Sequence, residues 1–282
     1  MPGKNEDGGA GVNLAAPTHF PLLVCRSKWE LLQAMNSNAR RMSILSCSRR
    51  GGDVAPAPVR PVVTSPEREK PSLPVLDEGT AAECARLAMM RNLSPDAIAL
   101  AVGRELLRFT DSREGRAWVV TDRDRWAAQT RRLDGKPWQR LTGSRASWPI
   151  GFADAVRRDR IALVEGGPDA LAALHHAWAS GCAEAVGVVC MIGAACRIPA
   201  ECLPAFAGLS VRVFIHADAP GMKAARKWAA QLAGAGARVS GFDFSGMLRT
   251  DGAAVNDLCD MASVGVDSWE EHRELIESAM TF

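Results

Sequence analysis

The sequence predicts an α/β fold: a parallel sheet of about four strands with flanking helices, preceded by a smaller subdomain. From residue 156 onwards, short apolar runs alternate with amphipathic stretches, which is typical of repeated β-α units. Two of the apolar runs end at a polar residue, Glu165 in one and His216 in the other, and each is followed by a glycine and the start of a helix. These patterns indicate two strand ends with polar residues that could take part in catalysis or metal binding.

The first of these units is the segment IALVEGGPDALAAL, residues 161–174. Its apolar start predicts a buried strand, with Glu165 at the carboxyl end. Gly166 and Gly167 permit a tight turn, and proline is favoured at the first position of a helix, which Pro168 is expected to occupy. Asp169 then falls in the first helical turn, where a negative charge is favoured.

The second unit has the same design. Residues 211–215 predict a strand, the turn reads His216-Ala-Asp218-Ala-Pro-Gly221, and residues 222–232 predict a helix. In open α/β sheets, ligands bind beyond the carboxyl ends of the strands. If the two strands are neighbours, Glu165 and Asp218 lie close together. Clustered carboxylates repel unless a cation lies between them, and their oxygens suit Mg²⁺.

The remaining elements complete the predicted order. We expect helices over 80–90, 94–107, 170–179, 200–206 and 268–280, and strands over 118–121, 186–192 and 239–244, with Ser94 as an N-cap. The predicted domains are a low-complexity segment with a Pro-rich linker (1–80), a basic α+β subdomain (81–155), the sheet domain (156–262) and a C-terminal helix (263–282). An amphipathic patch at 29–35 is either a remnant of a larger module or a docking helix.

Composition is that of a globular protein. The 282 residues are 47% hydrophobic and 23% charged, and the net charge of +2 gives only weak overall attraction to nucleic acid. No run of 18 apolar residues and no secretory signal is present, so we expect no membrane association. The eight cysteines include no Cys-x-x-Cys pair, which favours free thiols in the cytoplasm over a zinc site.

The subdomain at 81–155 concentrates positive charge. Its candidate nucleic-acid-binding residues are Arg125, Arg131, Arg132, Lys136 and Arg145, and tryptophans 118, 126, 138 and 148 are interleaved with them. Arginines can follow phosphates while indole rings stack on bases, as a single-stranded nucleic acid requires. The alternative is that the tryptophans form the core and the arginines a solvated face. The residues by themselves leave both interpretations open.

The pair of units resembles the Toprim fold shared by topoisomerases, primases and some nucleases. Glu165-Gly166 with Asp169 is similar to the family's Glu-Gly motif, and the turn from His216 to Gly221 is similar to its Asp-x-Asp-x-x-Gly motif. The resemblance covers residues 80–260 and, with the basic subdomain in front, is to phage and plasmid primases and primase-helicases. It implies Glu165 and Asp218 as catalytic residues, and Glu165, Asp169, His216 and Asp218 around a metal.

Residue 216 departs from the family, because a histidine stands where the resemblance implies aspartate. Imidazole suits Mn²⁺ or Zn²⁺ better than Mg²⁺, so we expect Mg²⁺ or Mn²⁺ as the cofactor with Mn²⁺ favoured. An ordinary histidine pKa of about 6.5 would make activity decline below that pH. Asp257 is either an outer acidic contact or an N-cap.

The resemblance implies a primase that makes primers on single-stranded DNA from nucleoside triphosphates, with a replicative helicase as a partner. No zinc ribbon or Gly-x-x-x-x-Gly-Lys-Ser/Thr loop is found, so we expect neither the zinc-binding nor the helicase part of such proteins. Two alternatives stay open: phosphodiester cleavage by the same acidic cluster, and a non-catalytic module that only binds nucleic acid.

Overall fold

The structure is a computed structural model that describes residues 72–134, 139–141, 144–145 and 147–282. The predictions for residues 1–71, including the patch at 29–35 and most of the Pro-rich linker, lie outside the described residues. Two residues of that linker, Val75 and Asp77, contact the strand that contains Phe109 and Thr110. Asp77 forms an antiparallel bridge with Phe109, and the carbonyl of Val75 accepts a hydrogen bond from Thr110.

The first half of the described chain is an antiparallel sheet with two helices. Its elements are α1 (Ala81–Arg91), α2 (Pro95–Gly103), β1 (Leu107–Ser112), β2 (Gly115–Val120), β3 (Gln129–Arg132) and β4 (Gln139–Arg140), with the strands in the order β1-β2-β3-β4. Both helix starts follow the sequence signals. Thr80 and Glu83 form a capping box, and Ser94 caps α2 with Pro95 in its first turn.

The second half is the predicted parallel sheet. Its elements are α3 (Phe152–Ala155), β5 (Arg160–Val164), α4 (Gly167–Ala179), β6 (Val186–Cys190), β7 (Ser210–Ile215), α5 (Ala219–Gly234), β8 (Arg238–Asp243) and α6 (Trp269–Met280). The strands are ordered β6-β5-β7-β8 and every neighbouring pair is parallel. The α/β class and the sheet of four strands with flanking helices are confirmed.

One boundary prediction is wrong. The helix expected over 94–107 ends at Gly103, and Leu107 begins β1, a strand that the sequence did not reveal. Glu105 has a positive φ of 60°, and the amide of Leu106 donates to the carbonyl of Ala101, which closes the last helical turn. Apolar residues stand on both sides of Gly103, Arg104 and Glu105, and a helix accepts these three residues, so periodicity alone could not place the break.

The two halves share a continuous core. Trp126 contacts Trp148 at 5.9 Å between ring centroids, Trp148 contacts Phe152 at 6.1 Å, and Phe152 contacts Phe206 at 5.5 Å. In addition, Ile150 forms an antiparallel bridge to Cys190 at the edge of the parallel sheet. The basic subdomain is therefore packed directly against the domain that carries the two predicted motifs.

The six cysteines that lie within the described residues are all free. Cys190 and Cys202 are buried in the core, where a thiol packs as a small apolar group. None of the helices described here is both long enough and apolar enough to cross a membrane.

Candidate active site

The carboxyl edge of the parallel sheet brings the two sequence motifs together. Strands β5 and β7 are hydrogen-bonded neighbours, with Ile161 paired to Val211 and Leu163 to Val213. Glu165 and His216 are the first residues beyond these two strands, so both emerge at the same edge. The two strands are therefore neighbours, as the prediction for Glu165 and His216 requires.

Helix starts place two further carboxylates at this edge. Asp169 lies in the first turn of α4, which begins at Gly167. Asp218 is the N-cap of α5, and its carboxylate accepts a hydrogen bond from the amide of Gly221 at 2.6 Å. Asp169 is buried and Asp218 is exposed, so the two carboxylates occupy different environments.

His216 lies at the centre of the cluster. Its Nε2 is 2.9 Å from Oδ2 of Asp169, and its Nδ1 is 3.8 Å from Oε2 of Glu165. One ligand atom each from Asp169, His216 and Asp257 lie within 4.8 Å of one another. Asp257 comes from the loop after β8, and this loop is fixed by a 2.8 Å hydrogen bond from the amide of Ala217 to the carbonyl of Asn256.

Backbone amides hold three of the carboxylates in place. Oε1 of Glu165 accepts from the amide of Ala194 at 3.1 Å, and Oδ1 of Asp169 accepts from the amide of Cys259 at 3.3 Å. Oδ1 of Asp257 accepts from the amide of Asp260 at 2.8 Å. Each of these carboxylates is therefore anchored to the backbone through one oxygen, and the second oxygen of Asp169 contacts His216.

The charges of the cluster shift several pKa values. Burial alone lowers the pKa of His216, but the hydrogen bond with Asp169 and the charges of Glu165 and Asp257 outweigh it and raise the pKa to about 9. Burial raises the pKa of Glu165, and burial together with the charge of Asp169 raises that of Asp257 to about 6. The expectation that His216 titrates near pH 6.5 is wrong, because its carboxylate neighbours stabilise the imidazolium.

The donor atoms fit a divalent cation. Two carboxylates and one imidazole within 4.8 Å form a mixed oxygen and nitrogen set, which suits Mn²⁺ or Zn²⁺ more than Mg²⁺. Binding a cation there requires the proton of His216 to leave, because a metal ligand must be neutral imidazole. Asp169, His216 and Asp257 are the residues that would hold the metal, with Glu165 adjacent.

Two glycines are required by close approach. A Cβ on Gly221 would overlap the Cβ of His216, and a Cβ on Gly167 would overlap the side chain of Gln129. The oxygen Oε1 of Gln129 accepts from the amide of Gly167 at 2.6 Å and so joins β3 to the start of α4. Gly166 itself is extended, with a φ of −136°, at the bend between β5 and α4.

No protein-family model and no curated protein matches the sequence. Among solved structures, the chain is similar to the primase fragment of the bacteriophage T7 primase-helicase protein, at 16% identity, over 69% of this chain and 72% of that one, with a TM-score of 0.47. A structure of the T7 lagging-strand DNA polymerase interacting with primase domains bound to an RNA/DNA hybrid and dTTP gives 15% identity, coverages of 68% and 88%, and a TM-score of 0.44.

The Aquifex aeolicus primase, comprising zinc-binding and RNA polymerase domains, gives 16% identity and a TM-score of 0.42. The match covers 69% of this chain and 55% of the Aquifex chain. All three TM-scores are below 0.5.

The predicted nucleic-acid-binding residues that the structure describes lie in different environments. Arg132 forms ion pairs with Glu114 at 3.3 Å and Asp134 at 2.6 Å, and Arg145 pairs with Glu201 at 2.7 Å. Arg125 is exposed, Arg131 is half-buried, and Lys136 lies outside the described residues. Because the positive charges of Arg132 and Arg145 are paired with carboxylates, these two side chains attract phosphates less strongly.

The interleaved tryptophans belong to the core. The exposed fractions of Trp118, Trp126 and Trp148 are 1%, 6% and 3%, so these rings have no free face for a base. Trp138 lies outside the described residues. The interpretation of the described tryptophans as core residues is confirmed.

Asp257 was expected to be either an outer acidic contact or an N-cap. Its carboxylate both accepts from a backbone amide and faces the cluster, so it combines the two roles.

Two neighbours of the site were missed, Gln129 and Arg91. Gln129 lies in a polar stretch with no motif, and Arg91 ends a helix 74 residues before Glu165, so only the folded chain shows that they approach the site.

Proposed function

We propose that the chain is a Toprim-type primase that joins nucleotides on single-stranded DNA. The observation that carries the proposal is the meeting of Asp169, His216 and Asp257 within 4.8 Å, next to Glu165, at the carboxyl edge of a parallel sheet. Such an edge is where α/β sheets bind ligands, and a cluster of this composition suits a divalent cation with phosphate. The order of the two motifs along the chain supports the same family.

The reaction would use Glu165 as the acid–base group. The 3′-hydroxyl of the growing strand attacks the α-phosphorus, the bond from that phosphorus to its bridging oxygen breaks, and pyrophosphate leaves. Glu165 would accept the hydroxyl proton, since one of its oxygens is held by Ala194 and burial raises its pKa. A bound divalent metal would neutralise charge that develops on the phosphate oxygens.

A non-catalytic nucleic-acid-binding module is the second candidate. It is favoured by the hydrogen bond between His216 and Asp169, since the imidazolium already neutralises a carboxylate that a metal would need. Asp218 is also committed to capping α5. In this case the protein would bind the template strand without transferring nucleotides.

A template-dependent assay separates these functions. The full chain is incubated with single-stranded DNA and labelled nucleoside triphosphates, with Mg²⁺ or Mn²⁺ in parallel. New oligonucleotides establish a primase, and shortened template indicates a nuclease that uses the same acidic cluster. Retention of the template without any product, measured in the same samples by a gel shift, indicates binding only and contradicts the proposed activity.

A further inference from the structure

Two arginines lie beside the candidate site: Arg91, which the sequence did not single out, and Arg131, one of the candidate nucleic-acid-binding residues. Arg91 is the last residue of α1, and its guanidinium carbon is 5.6 Å from the ring centroid of Trp118. Arg131 on β3 is the cross-strand partner of that same tryptophan. Both side chains therefore lie close to Trp118. The Nε atoms of Arg91 and Arg131 are buried and have no hydrogen-bond partner among the residues that the structure describes.

Residues beside the two arginines contact segments of the candidate site. Gln129 is two residues before Arg131 on the same face of β3, and it binds the amide of Gly167, at the start of the helix that carries Asp169. Asn92, next to Arg91, donates to the carbonyl of Ala262 at 2.7 Å, in the segment just after Asp257. Arg131 is close enough to interact electrostatically with Asp169 and Asp257, and Arg91 with Cys259, so both guanidinium groups lie near the acidic cluster.

The electrostatic environment agrees with this placement. Burial lowers the pKa of Arg131, and the positive charge of Arg91 lowers it further, whereas Asp169 and Asp257 act in the opposite direction. Neither arginine forms an ion pair within 4.0 Å to a carboxylate of the described residues. Two like charges thus lie near each other with unused N–H groups, an arrangement that an anion would stabilise.

We propose that Arg91 and Arg131 together bind the terminal phosphates of the incoming nucleoside triphosphate. Guanidinium groups match phosphate oxygens in paired hydrogen bonds. This inference rests on the proposed function, in which the acidic cluster holds the same triphosphate. A triphosphate concentrates several negative charges on adjacent groups, so it can reach a cation at Asp169 and both arginines at once. A DNA strand carries a single charge per nucleotide and fits this half-buried gap less well.

The test compares affinities of the full chain for a fluorescently labelled nucleoside triphosphate and for the corresponding monophosphate, in Mn²⁺. We expect the wild type to prefer the triphosphate, and Arg91→Gln and Arg131→Gln each to reduce that preference at least tenfold. Arg86→Gln is the matched control, because Arg86 is an exposed residue of the same helix. Arg91→Lys and Arg131→Lys keep the charge but lack the Nε donor, so they should lie between wild type and the Gln variants.

The outcomes are distinct for the two proposals. An unchanged triphosphate preference in folded Gln or Lys variants, or an equal fall in Arg86→Gln, overturns the role of the pair. A loss of single-stranded DNA affinity with unchanged triphosphate preference also overturns it, since the strand would then be the ligand. A wild type that prefers triphosphate through these arginines but makes no oligonucleotide supports the pair and contradicts the primase. Oligonucleotide synthesis with unaffected variants does the reverse.

Discussion

In the antiparallel sheet, Arg132 lies between Glu114 and Asp134, whereas at the carboxyl edge of the parallel sheet three carboxylates surround the imidazole of His216. The first arrangement balances charge within the protein and leaves little for a ligand. The second accumulates charge of one sign around a single histidine. Dense charge in a sequence is therefore a weak guide to a binding surface, and charge placed at neighbouring ends of parallel strands is a stronger one.

The largest expected effect is on the stability of the folded protein, and it tests whether the tryptophans of the basic subdomain are core residues. Trp148 packs between Trp126 and Phe152, so Trp148→Ala should lower the free energy of unfolding by about 3–5 kcal/mol, measured by urea denaturation. The control Trp269→Ala removes an indole that is 68% exposed and should change stability by less than about 0.5 kcal/mol. If the more conservative Trp148→Phe folds but binds single-stranded DNA much more weakly, the ring contacts nucleic acid after all.

At the parallel sheet, the expected effect is on activity. Glu165→Gln keeps size and removes the charge, so primer synthesis should fall by at least about a hundredfold while the melting temperature changes little. Glu270→Gln, an exposed carboxylate in the first turn of α6, is the control and should leave activity unchanged. Retention of most activity by Glu165→Gln would show that the acidic edge is not the reacting centre.

His216 tests the composition of the cluster. His216→Asp restores an oxygen ligand and removes the nitrogen, so the preference for Mn²⁺ over Mg²⁺ in direct metal titrations should fall at least about tenfold. His216→Ala should weaken both metals, because one of the three converging ligands is lost. Unaltered metal affinities in both variants would limit the imidazole to its hydrogen bond with Asp169.

A second histidine, His176, should make the stability of the fold depend on pH. His176 is fully buried, and burial lowers its pKa to about 3, well below the value of about 6.5 in an unfolded chain. Its contribution to stability is complete above pH 6.5 and is lost as the pH falls towards 3, because the unfolded chain binds the proton first. Between pH 6 and 4 the slope should approach about 1.4 kcal/mol per pH unit for this one proton.

His176→Met is the comparison variant for this slope. Denaturant unfolding of the wild type and of the variant at several pH values should show that the wild type loses more stability than the variant as the pH falls. Parallel curves would mean that the imidazole is accessible to protons in the folded chain.

The smallest effect concerns the exposed face of the basic subdomain. Arg125 is exposed and has a positive φ of 55°, so Arg125→Asn removes the charge with a residue that tolerates this backbone. The slope of log affinity for single-stranded DNA against log salt should fall by about 0.7. Arg132→Gln should leave the slope unchanged, because its guanidinium is already paired. Equal slopes for wild type and Arg125→Asn would remove Arg125 from the binding surface.

Most of the parallel sheet could be predicted, because each unit carries several agreeing signals. Around Glu165, the apolar run, the helix-starting proline and the acidic first turn all indicate the same strand and helix. The break at Gly103 was missed because Arg104 and Glu105 are residues that a helix accepts and Leu106 and Leu107 resume the apolar pattern beyond them.

The composition of the site was harder to predict than its location. Glu165, Asp169 and His216 were found through their motifs, but the approach of Arg91 depends on how α1 packs against the loop after Asp257. The pKa of His216 depends on a 2.9 Å contact with Asp169, which no spacing reveals. The position of Arg91 and the pKa of His216 both depend on contacts between residues far apart in the sequence, and no local sequence pattern reveals such contacts.

The bridge between Ile150 and Cys190 covers part of one edge of the parallel sheet. Strand β6 is the outer strand of the parallel sheet, and it consists entirely of buried residues. Exposed apolar edges recruit strands from other molecules, so the segment around Ile150 acts as a cover for β6. The opposite edge, β8, is protected differently, by the charged side chains of Arg238 and Asp243. A cleavage that released residues 147–151 would therefore expose the more adhesive of the two edges and lead to aggregation from that side.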